Sequence, residues 1–180
     1  ARGVIFDAVA TSTAVRAQQT ARYCLEAMGM PPFGIAHYDP DFLEISMGAW
    51  EGQPRKDVYT DEALAQLRRD AWNFAPPQGE SQREVARRMQ RALARLIAAQ
   101  PEEAERVAVF THGFAIRCLL TSMSPVRCPQ NILDLVIANT SINRLRCEFP
   151  AQFDPDAGTI SDQMFEEVTV NDIRHLYEAK

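Results

Sequence analysis

Three short stretches of this chain carry side chains suited to holding, and reacting with, an anion. The sharpest is Val107-Ala108-Val109-Phe110-Thr111-His112-Gly113, a compact apolar run closing on a histidine and a glycine just ahead of a helical pattern, Phe114–Met123. A histidine at the carboxyl end of a buried strand stands where open α/β sheets place their ligands. The helix start beyond it offers free N–H groups and a partial positive charge, both suited to phosphate. Gly113 lets an anion come close to the backbone, and a protonated His112 imidazole would add a charge-assisted hydrogen bond. A histidine that caps the helix, or sits in a satisfied polar pocket, accounts for the segment equally well.

Ser12-Thr13-Ala14-Val15-Arg16-Ala17-Gln18-Gln19-Thr20 repeats the same architecture of strand end, small polar residues and helix start. Arg16 falls in the first turn, where the helix dipole favours acids over cations. A guanidinium placed against that preference suits a ligand with two phosphate oxygens to grip. Taken alone, an ordinary surface arginine is the simpler account. The third stretch, Phe42 to Gly52, sets Glu44 and Glu51 in an apolar, glycine-containing loop. A carboxyl group in such surroundings can serve as proton donor to a leaving alkoxide. Surface loop acids are the common alternative.

The elements that must position these groups can be read from periodicity. Phe6–Ala10 reads as a buried strand, with a helix N-cap among Thr11-Ser12-Thr13. Ala14, Ala17, Ala21, Cys24, Leu25 and Met28 mark one face of the next helix, which Gly29 closes and Pro31-Pro32 prevents from continuing. A brief strand is expected around Gly34–Tyr38, a shaped loop over Pro40–Arg55, a helix over Asp61–Trp72 and a turn-rich connector over Asn73–Gly79. Ser81 and Glu84 form a capping box that opens a helix with Val85, Met89, Leu93 and Leu96 on its apolar face. Arg83, Arg87, Arg88, Arg91 and Arg95 are read as its solvated side, with Glu84 paired to Arg88. Val107–Thr111 is a buried strand, and Ile142–Phe149 and Phe165–Val170 are two more, joined by a loop over Phe149–Ser161. Strands alternating with helices predict a single α/β domain, a three-layer α/β/α sandwich with a mainly parallel sheet.

Composition narrows the partners. The chain has 180 residues, enough for one domain with a core, and a net charge of −5. That charge argues against nucleic acid and anionic membrane, which reward concentrated positive surface. Cys24, Cys118, Cys128 and Cys147 form no C-x-x-C unit, so a structural zinc site is not expected, and a reducing, cytoplasmic setting is. No apolar stretch is long enough to span a bilayer.

Taken in order, these segments resemble the histidine phosphatase (phosphoglycerate-mutase-like) superfamily. The resemblance is carried by Ser12 to Ala21 with Arg16-Ala17 and Thr20-Ala21, by Leu43-Glu44 through Gly48-Ala49-Trp50-Glu51-Gly52, and by Gly79-Glu80-Ser81. Val107–Leu120 with His112-Gly113 and Ile116-Arg117, Asn139-Thr140-Ser141-Ile142, and Asn171-Asp172 with His175-Leu176 complete it. The resemblance implies that His112 is the second active-site histidine, that Arg16 clamps the phosphoryl oxygens and that Glu44 is the general acid/base. It assigns Gly113 and the Phe114 backbone to the phosphate pocket, with Ser12 as a further substrate-binding residue. It implies no cofactor and no metal, a small phosphorylated metabolite as substrate, and hydrolysis through a phosphohistidine, while leaving a homodimer open. A phosphoglycerate-type mutase is the nearest alternative; the Gly48–Gly52 loop resembles the phosphatase branches more closely. The family's nucleophile is a different histidine, in an Arg-His-Gly motif at the end of a first strand. None of His37, His112 and His175 comes between an arginine and a glycine. Ala1–Phe6 is read as the tail of the family's first helix, so that strand and most of that helix are expected upstream of Ala1. A chain truly starting at Ala1 would instead be a non-catalytic phosphate binder.

Overall fold

The computed structural model describes residues 4–31, 37–123, 135–148 and 164–177. Its centre is a three-stranded parallel sheet in the order β2-β1-β3, formed by β1 (Ala8–Thr11), β2 (His37–Tyr38) and β3 (Val107–Phe110). Every residue of β1 is buried, as a parallel strand covered on both faces requires. This explains why its sequence is continuously small and apolar rather than alternating. Asp7 sets the register of β1 with β3. Its N–H donates to the Arg106 carbonyl at 2.8 Å, and its carboxylate accepts from the Glu105 and Arg106 N–H groups at 2.9 and 2.8 Å. β3 is half-buried rather than fully buried; among the described residues only β1 pairs with it.

Helix α1 (Val15–Met28) packs Ala17, Ala21 and Leu25 inward and ends at Gly29, whose φ of 75° is the left-handed cap conformation. Cys24 lies outside the buried face, at an exposed position. The N-cap is Ala14, with no side-chain cap. The expected Ser/Thr cap is absent because the N-cap position falls on Ala14; Ser12, two residues earlier, accepts the Ala14 N–H at 3.3 Å. Two 3₁₀ turns, Pro40–Phe42 and Gly48–Trp50, shape the loop ahead of the short helix α2 (Arg55–Val58). Helix α3 (Asp61–Arg69) stops short of the expected Trp72, because the Asp70 carboxylate takes the Asn73 N–H and Nδ2 at 3.1 and 2.7 Å and turns the chain.

Helix α4 (Gln82–Ala98) opens with the predicted capping box and packs against α5 (Gly113–Met123). Phe42, Val85, Met89, Leu96, Ala115 and Leu119 belong to the core between them. Residues 142–147 and 165–172 form strands β4 and β5, which pair antiparallel as a ladder separate from the parallel sheet. Residues 4–6 are not helical, which corrects the reading of Ala1–Phe6 as a helix tail; residues 1–3, 34–36, 149–161 and Cys128 lie outside the described residues. The chain is thus a mixed α/β fold organised on a parallel sheet.

Candidate active site

Because β1 and β3 run parallel, their carboxyl ends deliver Ser12 and His112 to the same sheet edge. Thr11 is level with Phe110, and the Ser12 N–H donates to the Phe110 carbonyl at 2.9 Å. Ser12 Oγ then lies 2.8 Å from His112 Nε2, both residues being buried. On the far side of the ring the Arg16 Nε–H, from the first turn of α1, donates to His112 Nδ1 at 3.2 Å. A guanidinium has only donors. Nδ1 must therefore be the bare nitrogen, and the proton of the neutral ring sits on Nε2, donating to Ser12 Oγ. Burial, and after it the Arg16 cation, hold the imidazole below its ordinary pKa, while Glu44 acts in the opposite sense. In this arrangement Nε2 is the donor, and the positive charge beside the ring is supplied by the arginine. Both Nη groups of the exposed Arg16 have no partner among the described residues.

Glu44 reaches the same place from the other side. Its carboxylate accepts the Phe114 and Ala115 N–H groups at 3.2 and 2.9 Å, and its own neighbour Ile45 at 3.1 Å. Thus the anion seated at the start of α5 is a side chain of the protein. The Phe114 N–H, expected to line a phosphate pocket, is occupied by Glu44; among the described residues nothing accepts from Gly113 N–H. A Cβ on Gly113 would stand 3.3 Å from the Ile137 carbonyl, so this glycine makes room for backbone. Glu51 takes a different part: its carboxylate accepts from Ser46 Oγ and Met47 N–H at 3.0 and 3.1 Å, closing the loop on itself.

The loop that carries Glu44 is fixed against the turn before α4. Ala49 N–H donates to the Pro77 carbonyl at 2.9 Å, and Glu80 N–H to the Ser46 carbonyl at 2.9 Å. Gly48 has a φ of 52°, and a Cβ there would collide with backbone atoms of Pro77, Gln78 and Gly79. Trp50 packs on Tyr59 and Phe74, with ring centroids 5.0 and 5.7 Å away. Behind the loop is a residue read from sequence as solvated surface. Arg88 is only 8% exposed, and its partner is Glu80, at 2.7 Å, in place of the expected Glu84, which is engaged with Ser81. Burial pushes the Glu80 carboxyl up, but the Arg88 guanidinium and the Ser46 N–H outweigh it and hold it below its ordinary value. Arg95 bridges Asp39 and Asp41, each at 2.8 Å. Arg83, Arg87 and Arg91 are the members of the run that face solvent. A sequence signal for Arg88 did exist: it lies on the Val85–Met89 side of the helix, where a guanidinium needs buried partners.

His175 is exposed in a short 3₁₀ turn after β5. Among the described residues no group of three or more His, Cys, Asp or Glu side chains is placed to hold a metal ion.

A family model for the histidine phosphatase superfamily (branch 1) matches residues 1–151. The 2,3-bisphosphoglycerate-dependent phosphoglycerate mutase of Parvibaculum lavamentivorans is 29% identical over 140 residues, 77% of this chain and 66% of that protein. The chain spans between 58% and 66% of the length of three curated relatives, two of them 2,3-bisphosphoglycerate-dependent phosphoglycerate mutases and the third a probable phosphoglycerate mutase. Among solved structures, YhfR of Bacillus stearothermophilus superposes with a TM-score of 0.73 at 22% identity, over 97% of this chain and 78% of its own. A mycobacterial glucosyl-3-phosphoglycerate phosphatase superposes at 0.68 with 23% identity, over 92% and 77%. At those identities the likeness is one of fold.

Proposed function

The chain belongs to branch 1 of the histidine phosphatase superfamily, and from that premise we propose that it acts as a phosphomonoesterase on small phosphate esters through a phosphohistidine. The observation that carries the reading is the contact of Arg16 with His112 at the mouth of the parallel sheet, with Glu44 seated on the helix that begins just after His112. The two Nη groups of Arg16, without partners among the described residues, grip the phosphoryl oxygens. The His112 Nε2–H turns from Ser12 to a third oxygen, adding a donor to the charge that develops during transfer. In the family scheme the nucleophile is the histidine of an Arg-His-Gly motif, a pattern that none of His37, His112 and His175 matches. As the nucleophile's nitrogen bonds to phosphorus, the P–O bond to the leaving group breaks, and Glu44, which enters this step having taken up a proton from solvent, gives that proton to the departing oxygen. In the second half, the Glu44 carboxylate takes a proton from water as that water's oxygen displaces the histidine nitrogen and phosphate leaves. Binding needs neither cofactor nor metal in this scheme, and the protein works in the cytoplasm.

Full-length protein is expected to release phosphate from p-nitrophenyl phosphate in the presence of EDTA, and His112→Ala to abolish that release. Absence of turnover on every small phosphoester by the full-length protein would refute hydrolysis in favour of phosphate sensing. The curated mutase relatives support one second reading, phosphate transfer between positions of a phosphoglycerate. Isomerisation of 3-phosphoglycerate without phosphate release would establish it.

A further inference from the structure

We propose that Arg88 is a positioning residue that sets the aim of the Glu44 carboxyl, an inference that rests on Glu44 being the proton donor. The Arg88 guanidinium is committed in full. Its Nε and Nη2 donate to the two oxygens of Glu80 at 2.7 and 2.9 Å. Nη1 donates to the carbonyls of Asp41 and Leu43 at 2.8 and 2.7 Å, and Nη2 to that of Glu44 at 3.1 Å. Those bonds engage all five donors such a group possesses.

Two of the three carbonyls decide the matter. The Leu43 and Glu44 carbonyls belong to the peptide planes on either side of the Glu44 Cα, and the two planes together define its φ and ψ. One flat, rigid fork holding both planes fixes the direction in which the Glu44 side chain leaves the backbone. What freedom remains in that side chain is taken by the N–H groups of Phe114, Ala115 and Ile45. Glu80 completes the device from behind: it neutralises a buried cation and ties it to Ser46, two residues beyond Glu44, through the Ser46 N–H at 2.9 Å. A lysine in this position would keep a charge beside Glu80, but its single ammonium could not span the three carbonyls. Arg88 touches no reacting atom and acts through Glu44.

The test compares Arg88→Lys and Glu44→Gln with the unaltered full-length protein, by amide hydrogen exchange and by turnover of an alkyl phosphate against p-nitrophenyl phosphate. Arg88→Lys is expected to speed exchange at the Phe114 and Ala115 amides on the order of tenfold, leaving the interior of α5 unchanged. It is also expected to lower kcat on the alkyl ester more than on the nitrophenyl ester, whose leaving group needs little protonation, with KM unmoved. Unchanged protection at those two amides overturns the proposal. So does faster exchange spread evenly along α5, the mark of a residue that only stabilises. The Glu44→Gln arm separates the two inferences. Equal losses on both esters there sink Glu44 as the acid, whereas a leaving-group effect in Glu44→Gln that Arg88→Lys lacks sinks the positioning role alone. Glu80→Gln releases the same fork more gently and carries the same expectation at the two amides if the lysine variant does not fold; unchanged protection in it is equally fatal.

Discussion

The two flanks of the site are built on opposite plans. Glu44 rides on a loop bolted down by Arg88, Glu80, the Gly48–Gly79 contact and the helix start it caps. Arg16 is exposed, and its side chain is held among the described residues by one hydrogen bond to His112. In the proton-donor role proposed for Glu44, transfer to one atom within hydrogen-bond reach gains from a carrier that is rigid before substrate arrives. An anion clamp gains from a guanidinium that can adjust to its ligand, and side-chain ordering can be deferred to binding. The contrast locates where this fold spends its rigidity.

Removing the adaptable flank is expected to have the largest effect. Arg16→Ala should lower kcat/KM on the order of a hundredfold, about 2.7 kcal/mol of transition-state stabilisation, while thermal stability hardly changes. Steady-state kinetics beside a melting curve checks it. A large drop in Tm would erase the contrast, because it would make Arg16 a structural member like Arg88. The rigid flank is expected to answer in the reverse manner. Gly48→Ala forces a left-handed φ on a residue with a side chain and drives a methyl into the backbone of Pro77, Gln78 and Gly79. A loss of about 2 kcal/mol of stability is expected in chemical denaturation. The KM for substrate should move little, because Arg16 lies outside that loop. An unaffected midpoint would show that the loop is not held as tightly as its contacts indicate.

That division also marks what the chain itself revealed. His112, Arg16 and Glu44 stood out because each occupies a punctuated position: a strand end, a helix start and a glycine-bearing loop, where local pattern and chemistry coincide. The capping box and the Gly29 stop were legible for the same reason, being rules of neighbours within four residues. What escaped was set by distant partners. Ser12 lies two residues before the N-cap, Ala14, and its hydroxyl meets a ring 100 positions away. Arg88 looked solvated although it lies on the Val85–Met89 side of its helix, because three of its acceptors, the carbonyls of Asp41, Leu43 and Glu44, show in no side-chain pattern. The antiparallel pairing of β4 with β5, apart from the main sheet, depends on a register that two separate strand patterns cannot express.

The subtlest effect concerns charge on the adaptable flank, and its sign can be worked out. The charged groups that act on the His112 ring are Arg16, Glu44 and Arg88, and with burial they leave its folded pKa below the ordinary 6.5. As pH falls through about 6.5 the unfolded chain takes up a proton that the folded ring still refuses, so ν_U exceeds ν_N and stability declines. The decline ends when the folded ring protonates at its lowered pKa. Arg16→Ala removes the largest charge opposing protonation but leaves burial in place. The ring should therefore titrate higher than in the unaltered protein, still below its ordinary value, and the window of declining stability should shorten from its acid end. Following the imidazole Cε1–H by NMR from about pH 7 to about pH 5, with melting curves over the same range, reads both quantities. An unmoved His112 titration in Arg16→Ala would mean that the ring does not feel the cation beside it. The neutral Nε2–H donor would then owe its state to burial alone, and Arg16 and His112 would have to be treated as two independent contacts with substrate instead of one coupled clamp.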